Sequence, residues 1–217
     1  MTPRPLPSPE IYDGILSLDL PDDRQGWHST HAIFGQLLQE TQARTVVECG
    51  SWKGASALHM GSLLKRETSP ALDFTIYCCD TWLGGIDHEL TQQNPTSVLK
   101  RERGYPVLYQ QFLFNVAKAQ LTQHIVPVVQ TSVNAARLLR AHRIVADLCY
   151  IDGSHEGMDP FHDILAYWPL LRKGGIMFGD DWGFPDVKAS VMRFLCETKL
   201  YHRLELVDDN FWIIRKP

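Results

Sequence analysis

Three acidic residues close two apolar runs. Asp180 and Asp181 follow Gly-Gly-Ile-Met-Phe-Gly (174–179), and Asp152 nearly ends Asp-Leu-Cys-Tyr-Ile-Asp-Gly (147–153). Two unit charges about 4 Å apart repel by roughly 4 kcal/mol at an effective dielectric of 20. Gathering three carboxylates at neighbouring strand ends is therefore costly unless a cation holds them. Magnesium, or another hard divalent ion, suits the set because it takes oxygen ligands and keeps positions for water or substrate oxygens. Asp152, Asp180 and Asp181 are the candidate metal ligands. The bland reading of Asp180 or Asp181 is a helix cap or turn residue, although Asp186 is better placed for that cap. His155 lies on the loop after Asp152. It could take a proton from a hydroxyl held there, or be an ordinary loop histidine tied to backbone.

The second group with chemical potential is a turn. Glu48-Cys-Gly-Ser-Trp-Lys-Gly54 follows an apolar run directly, and a helical stretch begins at once. Gly50 permits the tight turn and Gly54 lets backbone approach a ligand. A dinucleotide fingerprint needs Gly-x-Gly-x-x-Gly with pyrophosphate at the helix start. Here the spacing is Gly-x-x-x-Gly, and the acid Glu48 precedes it, which suits a cationic ligand better. Asp80, at the end of the next apolar run, can accept hydrogen bonds from both hydroxyls of a ribose. The hydroxyls of Thr131 and Ser132 could meet a base edge. Trp52 either stacks on a ligand or packs the loop. His28, His31, His88 and Glu89 read as solvated surface groups.

Alternation positions these residues. An amphipathic segment, His31 to Gln42, leads to the run from Thr45, then helix from Gly54 to Lys65, then Phe74 to Asp80. Helix around Phe112 to Gln120, strand Ile125 to Val129, helix Val133 to Ala141 and strand Ala146 to Ile151 follow. Helix Pro160 to Leu171, strand Ile176 to Gly179 and helix Asp186 to Thr198 complete the rhythm. Continuous apolar strands separated by helices predict an α/β fold, a mostly parallel sheet covered on both faces. Tyr201 to Val207 and Phe211 to Arg215, joined by Asp-Asp-Asn, predict a C-terminal antiparallel hairpin. Residues 1–27 read as an extended Pro-rich arm, and 28–217 as one domain. Residues 83–108 read as an irregular lid or substrate insertion.

Composition excludes several classes. The 217 residues suffice for one domain with its own core. A formal charge of −4 gives no footprint for nucleic acid. No apolar run approaches the roughly 20 residues of a membrane span, and the amino terminus lacks the apolar core of a secretory signal. The five cysteines show no zinc-ligand spacing and read as small buried hydrophobes of a reducing, cytoplasmic protein. The proline arm could reach a neighbouring subunit, which would allow a homo-oligomer.

Longer strings carry a resemblance. Val-Glu-Cys-Gly-Ser-Trp-Lys-Gly-Ala-Ser (47–56), Cys-Asp-Thr-Trp-Leu-Gly (79–84), Tyr-Ile-Asp-Gly-Ser-His (150–155) and Leu-Leu-Arg-Lys-Gly-Gly-Ile-Met-Phe-Gly-Asp-Asp-Trp (170–182) stand in order. Over residues 44–215 the chain resembles class I S-adenosylmethionine-dependent methyltransferases. It is similar in particular to the metal-dependent sugar O-methyltransferases of natural-product biosynthesis, of macrolide and aminocoumarin type, whose motifs cephalosporin-hydroxylase-like proteins share. The resemblance implies a Rossmann-like, seven-stranded fold and an S-adenosylmethionine cofactor. It implies that Glu48, Gly50, Ser51 and Gly54 border the methionine part and that Asp80 and Thr81 face the ribose. It puts Trp52, Trp82, Ser132 and Asp152 at the cofactor as well, Trp82 and Ser132 close to adenine. It further implies magnesium on Asp152, Asp180 and Asp181, with His155 or Asp152 as base. The expected reaction is methylation of a hydroxyl on a small polyhydroxylated acceptor. A dinucleotide-dependent oxidoreductase and a non-catalytic interaction module are the rival readings.

Overall fold

The central strands of the main sheet are buried on both faces, and their side chains sort by a period of two. The computed structural model describes residues 5–67, 73–86, 88 and 99–217. Strands β1 (Thr45–Cys49), β2 (Thr75–Asp80), β5 (Ile125–Val129), β6 (Ala146–Ile151), β7 (Leu171–Gly179), β8 (Leu204–Val207) and β9 (Phe211–Arg215) form seven-stranded order β5-β2-β1-β6-β7-β9-β8. The pairings from β5 to β7 are parallel, and β9 runs antiparallel to both β7 and β8. The expected hairpin is therefore present, with β9 inserted beside β7 and β8 at the edge. β3 (Arg101–Glu102) and β4 (Tyr105–Pro106) make a separate two-stranded hairpin.

Among the described residues each face carries three helices. Val46, Ile76, Leu148, Ile176, Phe211 and Ile213 point to the face covered by α1 (Ala32–Thr41), α2 (Ala55–Glu67) and α3 (Leu108–Lys118). Val47, Cys79, Cys149, Met177, Trp212 and Ile214 point to the opposite face, covered by α4 (Ser132–Ala141), α5 (Asp159–Tyr167) and α6 (Pro185–Thr198). Cys49, Cys78, Cys79 and Cys149 are buried free thiols, and Cys196 is exposed. Among the described residues no helix is long and apolar enough to cross a membrane.

Several boundaries differ from the sequence reading. β7 starts at Leu171, five residues before the expected Ile176, because a register shift opposite Ala146 and Leu148 accommodates the glycines. Gly174 there has φ +71°, and Arg172 Nε donates to Asp147 Oδ1 at 2.6 Å. Tyr201–Arg203 is a 3-10 turn rather than strand. The segment expected as an extended arm folds back instead: Pro9–Tyr12 and Ile15–Leu18 are 3-10 turns. Tyr12 and Ile15 are buried, and the Tyr12 hydroxyl donates to the Ile125 carbonyl at 2.8 Å. Of the expected lid, 83–108, residues 87 and 89–98 lie outside the described residues, among them Glu89. Its described part holds the β3–β4 hairpin and the first residue of α3.

Phe34 of α1 is fully buried and meets Tyr150, Phe178 and Phe211 edge-on, with ring centroids 5.0, 5.4 and 6.1 Å away. It keys α1 onto β6, β7 and β9 behind the acid-bearing strand ends. Phe34→Ala should cost about 3–5 kcal/mol in urea denaturation. A loss below about 1 kcal/mol would show that this cluster does not anchor the helix.

Candidate active site

In an open α/β sheet, ligands sit outside the carboxyl ends of the strands where the strand order reverses. Here that point lies between β1 and β6. Gly50 follows β1 at φ +84°, and a Cβ on it would come within 1.8 Å of the Asp152 carbonyl oxygen. Only glycine fits. The ladder continues beyond the strands: Gly50 N–H donates to the Cys79 carbonyl at 2.9 Å, and Asp152 N–H to the Cys49 carbonyl at 2.8 Å. The glycine turn and the Asp152 loop are thus one backbone unit. Gly179 is equally constrained, since a Cβ there would meet the Trp212 ring at 2.4 Å.

A cavity of about 900 Å³ opens over this unit. Gly50, Ser51, Trp52, Asp80, Thr81 and Ser132 line it from the glycine-turn side. Asp152, His155, Asp180 and Asp181 line it from the other. Three sequence candidates do not line it. Glu48 is fully buried below the turn, and its carboxylate accepts from the hydroxyls of Ser51 and Ser56. Burial pushes the Glu48 carboxyl up, against those hydrogen bonds. Gly54, at φ +86°, faces the Phe112 ring. Trp82, expected near an adenine, is a core residue: it is 1% exposed, packs on Tyr109 and Phe112, and donates from Nε1 to the Trp52 carbonyl at 2.8 Å. A large apolar ring two residues past a strand end is buried more favourably under the loop than left in the cleft.

Asp80 is first a clamp. Its Oδ2 accepts from the backbone N–H groups of Ser51 and Trp52, both at 2.9 Å, and its Oδ1 from Trp82 N–H at 2.7 Å. Three of the roughly four acceptor positions of a carboxylate are so used. Ser132 donates to Asp163 of α5, and the Cys49 thiol lies 3.6 Å from the same carboxylate.

At the acidic end, Asp152, His155 and Asp181 each offer a ligand atom within 4.8 Å of the others. His155 Nε2 lies 2.6 Å from Asp181 Oδ2, and its ring packs on Phe184. Desolvation, then the charges of Asp181 and Asp180, push the Asp152 carboxyl well up; Tyr150 donates to its Oδ2 at 2.9 Å and opposes the shift. Asp180 turns elsewhere. Its carboxylate takes the side chain of Asn210, Asp181 N–H at 2.7 Å and His28 Nδ1 at 3.2 Å. A desolvated carboxylate with one protein donor, next to a second carboxylate, fits a hard divalent cation. The donor set thus centres on Asp152 and Asp181, while Asp180 is already partnered.

Two of these residues were not found by the sequence reading. Asn210 belongs to a run read only as a turn, and Asp163 lies in a helix with no strand-end signal. His28, read as surface, is half-exposed yet lines the cavity, and Trp27 beside it does too. Gln25 Oε1 accepts from Trp52 Nε1 at 2.8 Å, so residues 25–29 wall the cavity from the amino-terminal side.

Residues 47–182 match the family described as a methyltransferase domain. No curated protein matches the chain in sequence. Among solved structures, an O-methyltransferase from Bacillus cereus, in complex with S-adenosylhomocysteine, is similar with a TM-score of 0.59 and 13% identity, over 97% of this chain and 92% of that one. A TDP-rhamnose 3′-O-methyltransferase of calicheamicin biosynthesis gives 0.60 and 19%, over 98% and 88%. The O-methyltransferase TomG from Streptomyces achromogenes, involved in tomaymycin synthesis and solved with S-adenosylmethionine, gives 0.57 and 15%, over 100% and 93%. At such identities the likeness concerns the fold.

Asp163 gives the site a measurable electrostatic signature. Desolvation pushes its carboxyl up to about 6, against the hydrogen bonds from Ser132 and Cys49. A carboxyl raised above its unfolded value of about 4 holds its proton longer in the folded state, so its contribution to stability falls as pH rises from about 4 to about 6. Asp163→Asn keeps the shape and removes the titration. The stability of the wild type relative to this variant should therefore fall by about 2–3 kcal/mol between pH 4 and pH 7 in urea titrations. A difference that does not change with pH would contradict the burial argument.

Proposed function

The chain belongs to the methyltransferase-domain family, and we propose that it is an S-adenosylmethionine-dependent O-methyltransferase. In this reading it uses a divalent cation, magnesium by preference, and methylates a hydroxyl of a small polyhydroxylated molecule. The observation that carries the reading is the single cavity joining the glycine turn to the acid cluster. A donor on one side and an acceptor hydroxyl on the other would then meet without crossing solvent. Family membership sets aside the dinucleotide reading, which the missing third glycine already disfavoured.

S-adenosylmethionine brings a methyl group on a sulfonium, and the cation, when bound, acidifies and orients an acceptor hydroxyl. The chain does the rest. Gly50, Ser51 and Trp52 form the donor's wall, and Asp80 fixes that wall through the Ser51 and Trp52 amides. Glu48 orients the Ser51 and Ser56 hydroxyls from below. Ser132 and Asp163 bound the far end. Asp152 and Asp181 would hold the cation, with Asp180 joining only by exchanging its contacts to His28 and Asn210. His155 is assigned the base because a hard cation prefers oxygen to imidazole. Its Nε2–H faces Asp181 Oδ2 at 2.6 Å, so the acceptor proton goes to Nδ1 and Asp181 stabilises the imidazolium that forms. The reacting centres need only approach in line, so positioning supplies much of the rate.

Two variants test the assignments. Asp181→Ala should lose cation-stimulated methyl transfer while calorimetry still shows S-adenosylhomocysteine binding. Full activity of the wild type in excess EDTA would refute the cation. His155→Ala should lower turnover by roughly 10²–10⁴-fold, the range for a lost general base. A near-normal rate would move the base to Asp152. Activity is read by mass spectrometry of a metabolite extract incubated with enzyme, magnesium and methyl-labelled S-adenosylmethionine.

A further inference from the structure

The charge of the cavity wall restricts what can enter. Among the described residues that line the cavity, none is lysine or arginine. Lys53, on the glycine turn, is not a lining residue; it is mostly buried and its Nζ lies 2.7 Å from Asp23. Of the histidines at the acidic end, His28 and His155 lie against Asp180 and Asp181. His88 stacks on Trp52, and its Nδ1 accepts from Gly85 N–H.

Two amides of the glycine turn are committed as well. A glycine turn running into a helix commonly receives an anion on its free N–H groups. Here the Ser51 and Trp52 amides already donate to the Asp80 carboxylate. Phosphate and carboxylate recognition ordinarily relies on arginine, lysine or such amides. Among the described residues the wall provides neither arginine nor lysine, and the amides of Ser51 and Trp52 are taken.

Beyond the four acids at the strand ends, Glu156, Asp159 and Asp163 also line the cavity. Glu156 and Asp159 are exposed at its mouth. Neither donor nor cation, held at the strand ends, offsets these rim acids. Two apolar rings complete the mouth: Trp27 is 48% exposed and Phe184 47%, and both line the cavity. Such rings pack on the C–H face of a polyol or on an ammonium group.

We infer that the acceptor carries no phosphate, sulfate or carboxylate, and that it is an uncharged or amine-bearing polyol read by Trp27, Phe184 and the rim acids Glu156 and Asp159. The inference rests on the methyl-transfer reading and narrows it: nucleotide sugars and coenzyme-A thioesters are excluded by charge. Low-dielectric walls of one sign focus the field into a cleft, so an anionic acceptor is repelled before it docks.

The test sorts labelled products by charge and works on an unidentified acceptor. The full chain is incubated with magnesium, methyl-labelled S-adenosylmethionine and a metabolite extract, and the products are separated at pH 7 on an anion exchanger followed by a cation exchanger. Residual donor is identified by mass. Labelled product should pass the anion exchanger, in the flow-through or on the cation exchanger. Labelled product retained on the anion exchanger overturns this inference and leaves methyl transfer standing. Label on no molecule at all overturns methyl transfer, and this inference with it. For an amine-bearing product, the double variant Glu156→Gln and Asp159→Asn should raise the acceptor KM about 3–10-fold with kcat and S-adenosylhomocysteine affinity retained. An unchanged KM for that product would remove the rim acids from recognition.

Discussion

The approach of Gly50 to the Asp152 carbonyl is the constraint on which both halves of the site depend. Any Cβ at Gly50 would stand 1.8 Å from that oxygen. The turn that would face a methyl donor and the loop that carries Asp152 and His155 therefore cannot separate without breaking the sheet's own hydrogen bonds. Parallel strands make this possible, because adjacent carboxyl ends reach the same edge in register. Cys49 pairs with Ile151 and with Cys79, so three functional loops leave the sheet side by side. Reaction geometry is inherited from strand register rather than assembled from flexible loops, which is what proximity catalysis requires.

Both ends of the chain then close the acidic side. His28 precedes α1 and Asn210 lies between β8 and β9, yet both reach the Asp180 carboxylate. The insertion of β9 beside β7 makes this contact available, since it brings the hairpin turn to the edge where Asp180 emerges. Trp212 of β9 also donates from Nε1 to the Asp180 carbonyl, at 3.2 Å. The C-terminal hairpin thus does more than end the sheet. It holds one acid of the cluster in place and leaves the neighbouring Asp181, at φ +65°, facing His155.

Much of this was legible in the sequence. Period-two burial and strand–helix alternation gave the layers, and acids at strand ends gave Asp80, Asp152, Asp180 and Asp181, because one-dimensional pattern maps directly onto a parallel sheet. Partners were harder to read. Nothing local links Asn210 or His28 to Asp180, since that contact depends on where β9 inserts. Trp82 looked like a cofactor residue because it follows Asp80; the sequence does not say whether a ring turns into the cleft or beneath the loop. Tyr12 and Ile15 were hidden by the prolines around them, although both are buried against the domain.

The acids in and beneath the cavity wall can be ranked by how far the protein itself satisfies them. Asp80 has three backbone donors, and Glu48 has two hydroxyls. Asp163 has a hydroxyl and a thiol, and Asp180 has an amide side chain, an imidazole and a backbone N–H. Asp152 accepts only from Tyr150 among these described partners, and it faces Asp181. A desolvated carboxylate with too few donors is destabilising unless something outside the chain completes it. The chain had hydroxyls to spare for Glu48 and supplied none to Asp152 beyond the Tyr150 phenol. That asymmetry separates the acids that build the scaffold from Asp152, and in the proposed reading it puts the cation at the Asp152–Asp181 edge of the cavity rather than on the aspartate pair as such.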